Sequence, residues 1–135
     1  LWTILFKNLS LTSSRWFKDS LLNHLDDVND KFLNNIVQRC NKIFDEKKLI
    51  LLGLSFKVDS DDIRGSGSIE LYRKLKKEGF EIFPVDPLVN QEEIDFELFE
   101  FSQASKKTNN ILIAVDHKNF KEFDLKDKKV FYVEI

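Results

Sequence analysis

The stretch Lys47 to Arg64, KKLILLGLSFKVDSDDIR, decides the fold. Its first half, Leu49-Ile50-Leu51-Leu52, is an unbroken apolar run of the kind needed by a strand buried on both faces. The run stops at Gly53, where a residue without a side chain lets the backbone turn. Past that point the composition changes. Phe56-Lys57 sets an aromatic ring beside a cation, and Asp59, Asp61, Asp62 and Arg64 follow within seven residues. A turn does not need so much charge. Parallel α/β sheets bind ligands outside the carboxyl ends of their strands, so these side chains are candidates to face such a crevice. All four glycines lie between Gly53 and Gly79, which puts the tight backbone geometry in the same region.

Working outward, Ser66 or Ser68 can cap a helix reaching about Lys77, with Ile69, Leu71, Tyr72 and Leu75 inward and Gly79 as a left-handed stop. Phe80 to Val85 reads as the next strand. Pro84 removes a ladder donor there, which predicts an edge strand or an early end, and Asp86-Pro87 turns the chain out of the sheet. Gln91 to Ser105 is acidic and aromatic, and a helix is expected within it. Asn110 to Val115 is a second buried strand, Lys118 to Phe123 a short helix or turn, and Val130 to Ile135 a last strand. Alternation of this kind gives a small Rossmann-like parallel sheet with helices on both faces, an α/β fold.

Upstream, Leu21, Leu25, Val28, Phe32, Ile36, Cys40 and Ile43 recur three or four apart between Trp16 and Phe44, and Leu22, Leu33, Val37 and Phe44 widen the stripe. This spacing predicts a long amphipathic helix, with a break near Asp26-Asp27 a possibility. A stripe of that length wants a partner, either the following domain or a second chain. Leu1 to Ser14 is unassigned, apart from Ser13 or Ser14 as a helix cap.

Composition narrows the partners. The 135 residues can form one domain with an appendage, and 42% hydrophobic against 33% charged residues allows both a core and solubility. Twenty-one basic and 23 acidic residues are mixed along the chain for a net charge of -2, so no face has the basic density a nucleic-acid backbone needs. One cysteine permits no internal disulfide and no metal-ligand spacing, which fits a reducing compartment. No apolar run reaches the roughly 20 residues of a membrane span, and a cytoplasmic location is expected. The chain begins at leucine and has no methionine, so it reads as a piece of a longer product.

Several segments together resemble one family. Gly53-Leu54-Ser55-Phe56-Lys57, then Asp61-Asp62-Ile63-Arg64, then Ser66 opening a helix, then Val85-Asp86-Pro87 closing a strand are similar to the C-terminal domain of the UDP-glucose/GDP-mannose dehydrogenase family. That family's pattern is a strand, glycine, hydrophobic, small, F-K, a short acidic stretch, D-x-R-x-S, a helix and a strand ending in D-P. Val28-Asn29-Asp30 resembles the start of its long central helix, and the likeness continues through Val115-Asp116-His117. It covers residues from about Asp26 onward.

The resemblance implies an enzyme that oxidises the C6 alcohol of a UDP-sugar to a uronate, for polysaccharide biosynthesis. Two NAD-dependent hydride transfers would run through a cysteine-bound thiohemiacetal and thioester. It implies residues 1-46 as the end of the dimerisation domain and residues 47-135 as the UDP-sugar-binding domain. A homodimer would form through the long helix.

Phe56 and Lys57 are implied as substrate contacts and Arg64 as a contact to NAD. Read as residues alone, Phe56 could instead cap the core with Lys57 solvated, and Arg64 could pair with Asp61 or Asp62. Gly65-Ser66-Gly67-Ser68 serves equally as a helix cap or an anion cradle, and it departs from the family, which usually carries an acid at Gly65. Cys40 lies on the apolar face of the long helix and reads as a buried thiol, because the family's nucleophile belongs to a glycine-rich loop that Leu1 to Leu25 lacks. No catalytic role attaches to His24 or His117, although His117 stands just after a strand on the ligand edge. There is no GxGxxG and no terminal D-x-R, so the chain by itself is expected to be inactive. The alternative is a non-catalytic α/β assembly module dimerising through the long helix. A flavodoxin- or receiver-like domain shares the sheet but gives no reason for the F-K to D-x-R spacing.

Overall fold

The computed structural model describes the backbone of residues 15–133 and the side chains from Asp19 to Val133. Expectations for the first fourteen residues and for Glu134-Ile135 lie outside the described residues. Helix α1 runs Arg15–Ile43 without interruption. No break occurs at Asp26-Asp27, since both carboxylates are exposed and Asp27 pairs with Lys31 one turn on, at 3.1 Å. The chain forms two compact units, residues 1–35 and 36–135. In the first, Leu25 and Leu33 are buried while Val28 and Phe32 stay about half exposed. No helix among the described residues is long and apolar enough to cross a membrane.

In the second unit, four strands, β1 (Lys48–Leu52), β2 (Glu81–Val85), β3 (Asn110–Ile113) and β4 (Lys129–Tyr132), form one parallel sheet in the order β2-β1-β3-β4. Period-two alternation divides its side chains. Ile50, Leu52, Phe83, Val85, Ile111 and Ile113 share one face with Ala104 and Phe120, and Phe99, Phe101, Phe123 and Leu125 pack around that cluster. Leu49, Leu51, Ile82, Leu112 and Phe131 alternate onto the other, where Arg39 of α1 lies over the Phe131 ring at 4.9 Å. With both faces covered, the central strands have to be apolar throughout, as Leu49 to Leu52 are. Each such leucine is worth roughly 1.5–3 kcal/mol relative to exposure.

Helix α2 (Gly67–Lys77) begins at Ser66, whose hydroxyl accepts the amide of Ile69. Leu71, Tyr72 and Leu75 are buried as expected, whereas Ile69 is only partly so. Its end is a Schellman turn: Gly79 at φ +97° donates to Lys76 and Phe80 donates to Leu75.

Strand β2 is an edge, as Pro84 predicts. The reason lies in the direction of its peptide groups. Within a strand the N–H and C=O of one residue point to the same side, and the Pro84 carbonyl accepts from Phe99, away from β1. The missing N–H therefore falls on the outer side, and the ladder to β1 loses nothing.

The helix expected within 91–105 is confined to four residues at its end. A 3-10 turn at Gln91–Glu93 and a four-residue helix α3 (Phe101–Ala104) flank extended chain. The Gln91 side chain donates to the Phe96 carbonyl and accepts the Leu98 amide, both at 2.7 Å. Phe96 stacks on Tyr72 while Phe99 meets Phe83 edge-on. Docking these rings on different elements requires an extended chain, and the aromatic contacts override helix propensity. Lys118–Glu122 is a 3-10 helix.

Candidate functional site

Order β2-β1-β3-β4 reverses direction between β1 and β3, so the loops after these two strands flank the switch-point crevice. They are in direct contact. Gly53 adopts φ +92°, and a Cβ there would lie 2.7 Å from Cβ and 2.8 Å from the amide nitrogen of Val115. Only glycine allows this approach.

The connection from Gly53 to Ser66 is longer than the usual two to six residues between strand and helix, so its order needs an explanation. Hydrogen bonds supply it. The Phe56 amide donates to the Asp62 carbonyl at 2.6 Å, closing a compact loop, and the Ser66 hydroxyl donates to the Leu54 carbonyl at 2.6 Å. Ser55 Oγ donates to the Lys57 carbonyl at 2.7 Å.

Beneath the loop lies a buried polar cluster that joins three strand ends. The Asp86 carboxylate, after β2, accepts from the Leu54 amide at 2.7 Å, the Leu88 amide at 3.0 Å and His117 Nε2 at 2.9 Å. His117, after β3, is fully buried, and its Nε2 also lies 3.2 Å from Ser55 Oγ. Its Nδ1 accepts the amide of Asp59 at 2.8 Å, which assigns the ring hydrogen to Nε2. Asp59 stands at φ +58°, and its Oδ1 accepts the Lys118 amide at 2.9 Å. Three donors on one carboxylate, and a partner for each ring nitrogen, are what let such groups sit in the interior.

The expected site residues stand above this base. Phe56 is half-buried, with ring carbons 3.9 Å from where a Gly65 Cβ would sit, so it neither disappears into the core nor leaves it. Lys57 is exposed. The Arg64 side chain is 90% exposed and grips Asp62 with two prongs, Nε to Oδ1 at 3.0 Å and Nη2 to Oδ2 at 2.9 Å. The ion pair that the residues alone allowed is therefore formed. Hydrogen bonds from the Arg64 side chain and amide hold the Asp62 carboxyl down at about 2, and Lys57 adds to the effect. Cys40 is buried, and burial pushes its thiol up to about 12, far from a nucleophilic thiolate. His24 is exposed on α1.

The loop thus carries Phe56, Lys57 and Arg64, an aromatic ring and two exposed cations, of which Arg64 is already paired with Asp62. Sequence reasoning placed Asp59 among the charges at the crevice, Ser55 and Asp86 in the motif and His117 on the ligand edge, but it missed the hydrogen bonds that join them. The available signal was a polar residue within three positions of the end of each buried run: Ser55, Asp86 and His117.

The chain is similar to proteins of known kind. The family profile for the UDP binding domain of the UDP-glucose/GDP-mannose dehydrogenase family matches residues 50–132. The chain is similar to the UDP-N-acetyl-D-mannosamine dehydrogenase of Campylobacter jejuni, 32% identical over 106 residues that cover 71% of this chain and 26% of that protein. It is also similar to the UDP-glucose 6-dehydrogenase of Gallus gallus, 34% identical over 76 residues that cover 53% and 15%. The native structure of the UDP-N-acetyl-mannosamine dehydrogenase of Staphylococcus aureus superposes with a TM-score of 0.68 at 26% identity, over 90% of this chain and 34% of that one. The chain spans about a quarter of the length of the bacterial relatives it matches. A parallel sheet in this order, the F-K to D-x-R loop at its switch point and a profile match across nearly the whole sheet unit lead to one assignment: the chain belongs to the UDP-glucose/GDP-mannose dehydrogenase family, of which it carries the UDP binding domain.

Proposed function

We propose that this chain holds the nucleotide sugar of an NAD-dependent UDP-sugar 6-dehydrogenase. Residues 47–135 form its UDP-sugar-binding domain, and residues 1–46 the end of its dimerisation domain. The observation that carries the reading is that Lys57 is exposed on a loop whose backbone is fastened immediately after it, at the Lys57 carbonyl and the Asp59 amide. A cation held ready at the switch point gives a pyrophosphate or sugar oxygen its counter-charge without first ordering the loop. The Phe56 ring beside it shields that contact from water.

Arg64 is the candidate contact to NAD. The fit is a single one: the guanidinium is already held flat by Asp62 and turns its remaining N–H groups outward, toward an anionic group arriving from solvent. When bound, NAD would accept the hydride from the sugar carbon. The residues here bind and orient, since Cys40 is buried and both nitrogens of His117 are engaged. We accordingly expect the purified chain to bind UDP-sugars without turning them over, and the working location to be the cytoplasm.

Thermal unfolding with and without millimolar UDP, UDP-glucose, UDP-N-acetylglucosamine and NAD tests this. A ligand at about a hundred times its Kd adds roughly 2.7 kcal/mol, a shift of several degrees. The expected result is a shift with UDP compounds that Lys57→Ala abolishes without moving the ligand-free midpoint. A wild-type midpoint indifferent to every UDP compound would remove the proposal. A second reading, an assembly module, draws on Val28 and Phe32, one helical turn apart and about half exposed on α1. Sedimentation showing a dimer that Phe32→Glu dissociates, in a protein indifferent to UDP, would favour it.

A further inference from the structure

We infer that His117 is a positioning residue for the nucleotide sugar, setting the place of Lys57 without touching the ligand. This rests on the UDP-sugar reading above. Lys57, Val58 and Asp59 carry no buried side chain, so hydrophobic packing does not fix them. Their backbone is fixed at two points, and one imidazole holds the first directly and reaches the second through the Ser55 hydroxyl. Nδ1 of His117 accepts the Asp59 amide, and Nε2 lies against Ser55 Oγ, the hydroxyl that donates to the Lys57 carbonyl. The ring is in turn held by Asp86, itself anchored on the Leu54 and Leu88 amides at the ends of β1 and β2. A line of hydrogen bonds therefore runs from the rigid sheet to the two peptide groups that follow Lys57, on either side of Val58.

The direction of each bond matters. The Asp59 amide can only donate, so Nδ1 has to carry a lone pair, and the one ring hydrogen is left on Nε2 for Asp86. Asp59 also holds φ +58°, a conformation that an aspartate adopts at some cost unless its surroundings fix it. Here the ring nitrogen on one side and the Lys118 amide on Asp59 Oδ1 fix it. Without the Nδ1 acceptor the amide loses its buried partner, and the loop gains freedom that binding then has to remove.

Two replacements separate the ring's two jobs. An asparagine at 117 puts an oxygen where Nδ1 stands, as many bonds from Cβ, and keeps an acceptor for Asp59. A glutamine instead reaches the Nε2 position and keeps a donor to Asp86, with nothing in the Nδ1 position. UDP titration calorimetry and amide hydrogen exchange at Asp59 are measured on wild type, His117→Asn and His117→Gln. The expected result is faster Asp59 exchange and UDP affinity at least tenfold weaker in His117→Gln, with His117→Asn close to wild type in both. Wild-type affinity in His117→Gln overturns the inference, and so does an equal loss in both variants, which would mark a purely packing role. A wild-type protein that binds no UDP brings down the underlying reading and this inference with it. Should neither ring variant fold, Ser55→Ala removes the hydroxyl that links His117 Nε2 to the Lys57 carbonyl. Weaker UDP binding in it supports the inference, and unchanged binding overturns it.

Discussion

Gly53 and Val115 touch backbone to backbone, where β1 and β3 deliver their loops to the crevice. At φ +92° and with Val115 atoms in the space of a Cβ, Gly53→Ala combines left-handed strain with a steric conflict against main chain. Gly79 has a similar φ of +97°, but the nearest atoms to its would-be Cβ belong to the flexible Lys47 side chain at 3.8 Å. We expect Gly79→Ala to cost about 1 kcal/mol and Gly53→Ala roughly 2–4 kcal/mol in urea unfolding. Equal losses at the two sites would mean that the loops yield and the contact sets nothing.

Asp86→Ala takes away the acceptor for the Leu54 amide, the Leu88 amide and His117 Nε2 in a site almost closed to water. Leaving such donors unpaired costs roughly 3–5 kcal/mol. A thermal midpoint lower by about 10 °C or more is the expected reading for a chain of this size. A loss under about 1 kcal/mol would show that the cluster does not tie the strand ends together.

Cys40 should ignore a thiol reagent such as Ellman's reagent at pH 8 while the chain is folded, and react fully in denaturant. Its thiol is moved from 9.0 to about 12 by burial, so the fold keeps a proton that the unfolded chain releases. Stability associated with this group is complete below about pH 9 and is lost as pH rises toward 12. Cys40→Ala should flatten that alkaline decline, and an unchanged slope would count against the assignment.

The Asp62–Arg64 pair acts at the opposite end of the scale. A carboxyl held at about 2 against an ordinary value near 3.9 takes up its proton later in the fold than in the unfolded chain. Its contribution is therefore complete above about pH 4 and disappears as pH falls to about 2. Wild type and Arg64→Ala should differ modestly in midpoint at pH 5 and converge near pH 2. A gap of the same size at both pH values would assign the difference to something other than this pair.

The parallel sheet could be read from the chain because strands buried on both faces must be apolar throughout, as Leu49 to Leu52 and Ile111 to Val115 are. Local chemistry likewise announced Ser66 as a cap, Gly79 as a stop and Pro84 as an edge residue. Residues 91–105 could not be read this way, because Phe96 and Phe99 take their positions from Tyr72 and Phe83, and such contacts leave no periodicity. The loop bearing Phe56, Lys57 and Arg64 was legible as a spacing, while its support was not. His117 meets Ser55, Asp59 and Asp86 only after β1, β2 and β3 are side by side, and the sign of φ at Asp59 is written in no residue type.

Pro84 has one more effect, on how copies of the molecule treat each other. An outer strand with its peptide groups unpaired is a template on which another chain can add itself, the first step toward fibrils. On β2 the outward groups of Pro84 offer no such template: the residue has no hydrogen to give, and its oxygen is already taken by Phe99. An invading strand would find a gap in its ladder. The ring that marks the border of the sheet therefore also guards that border against aggregation.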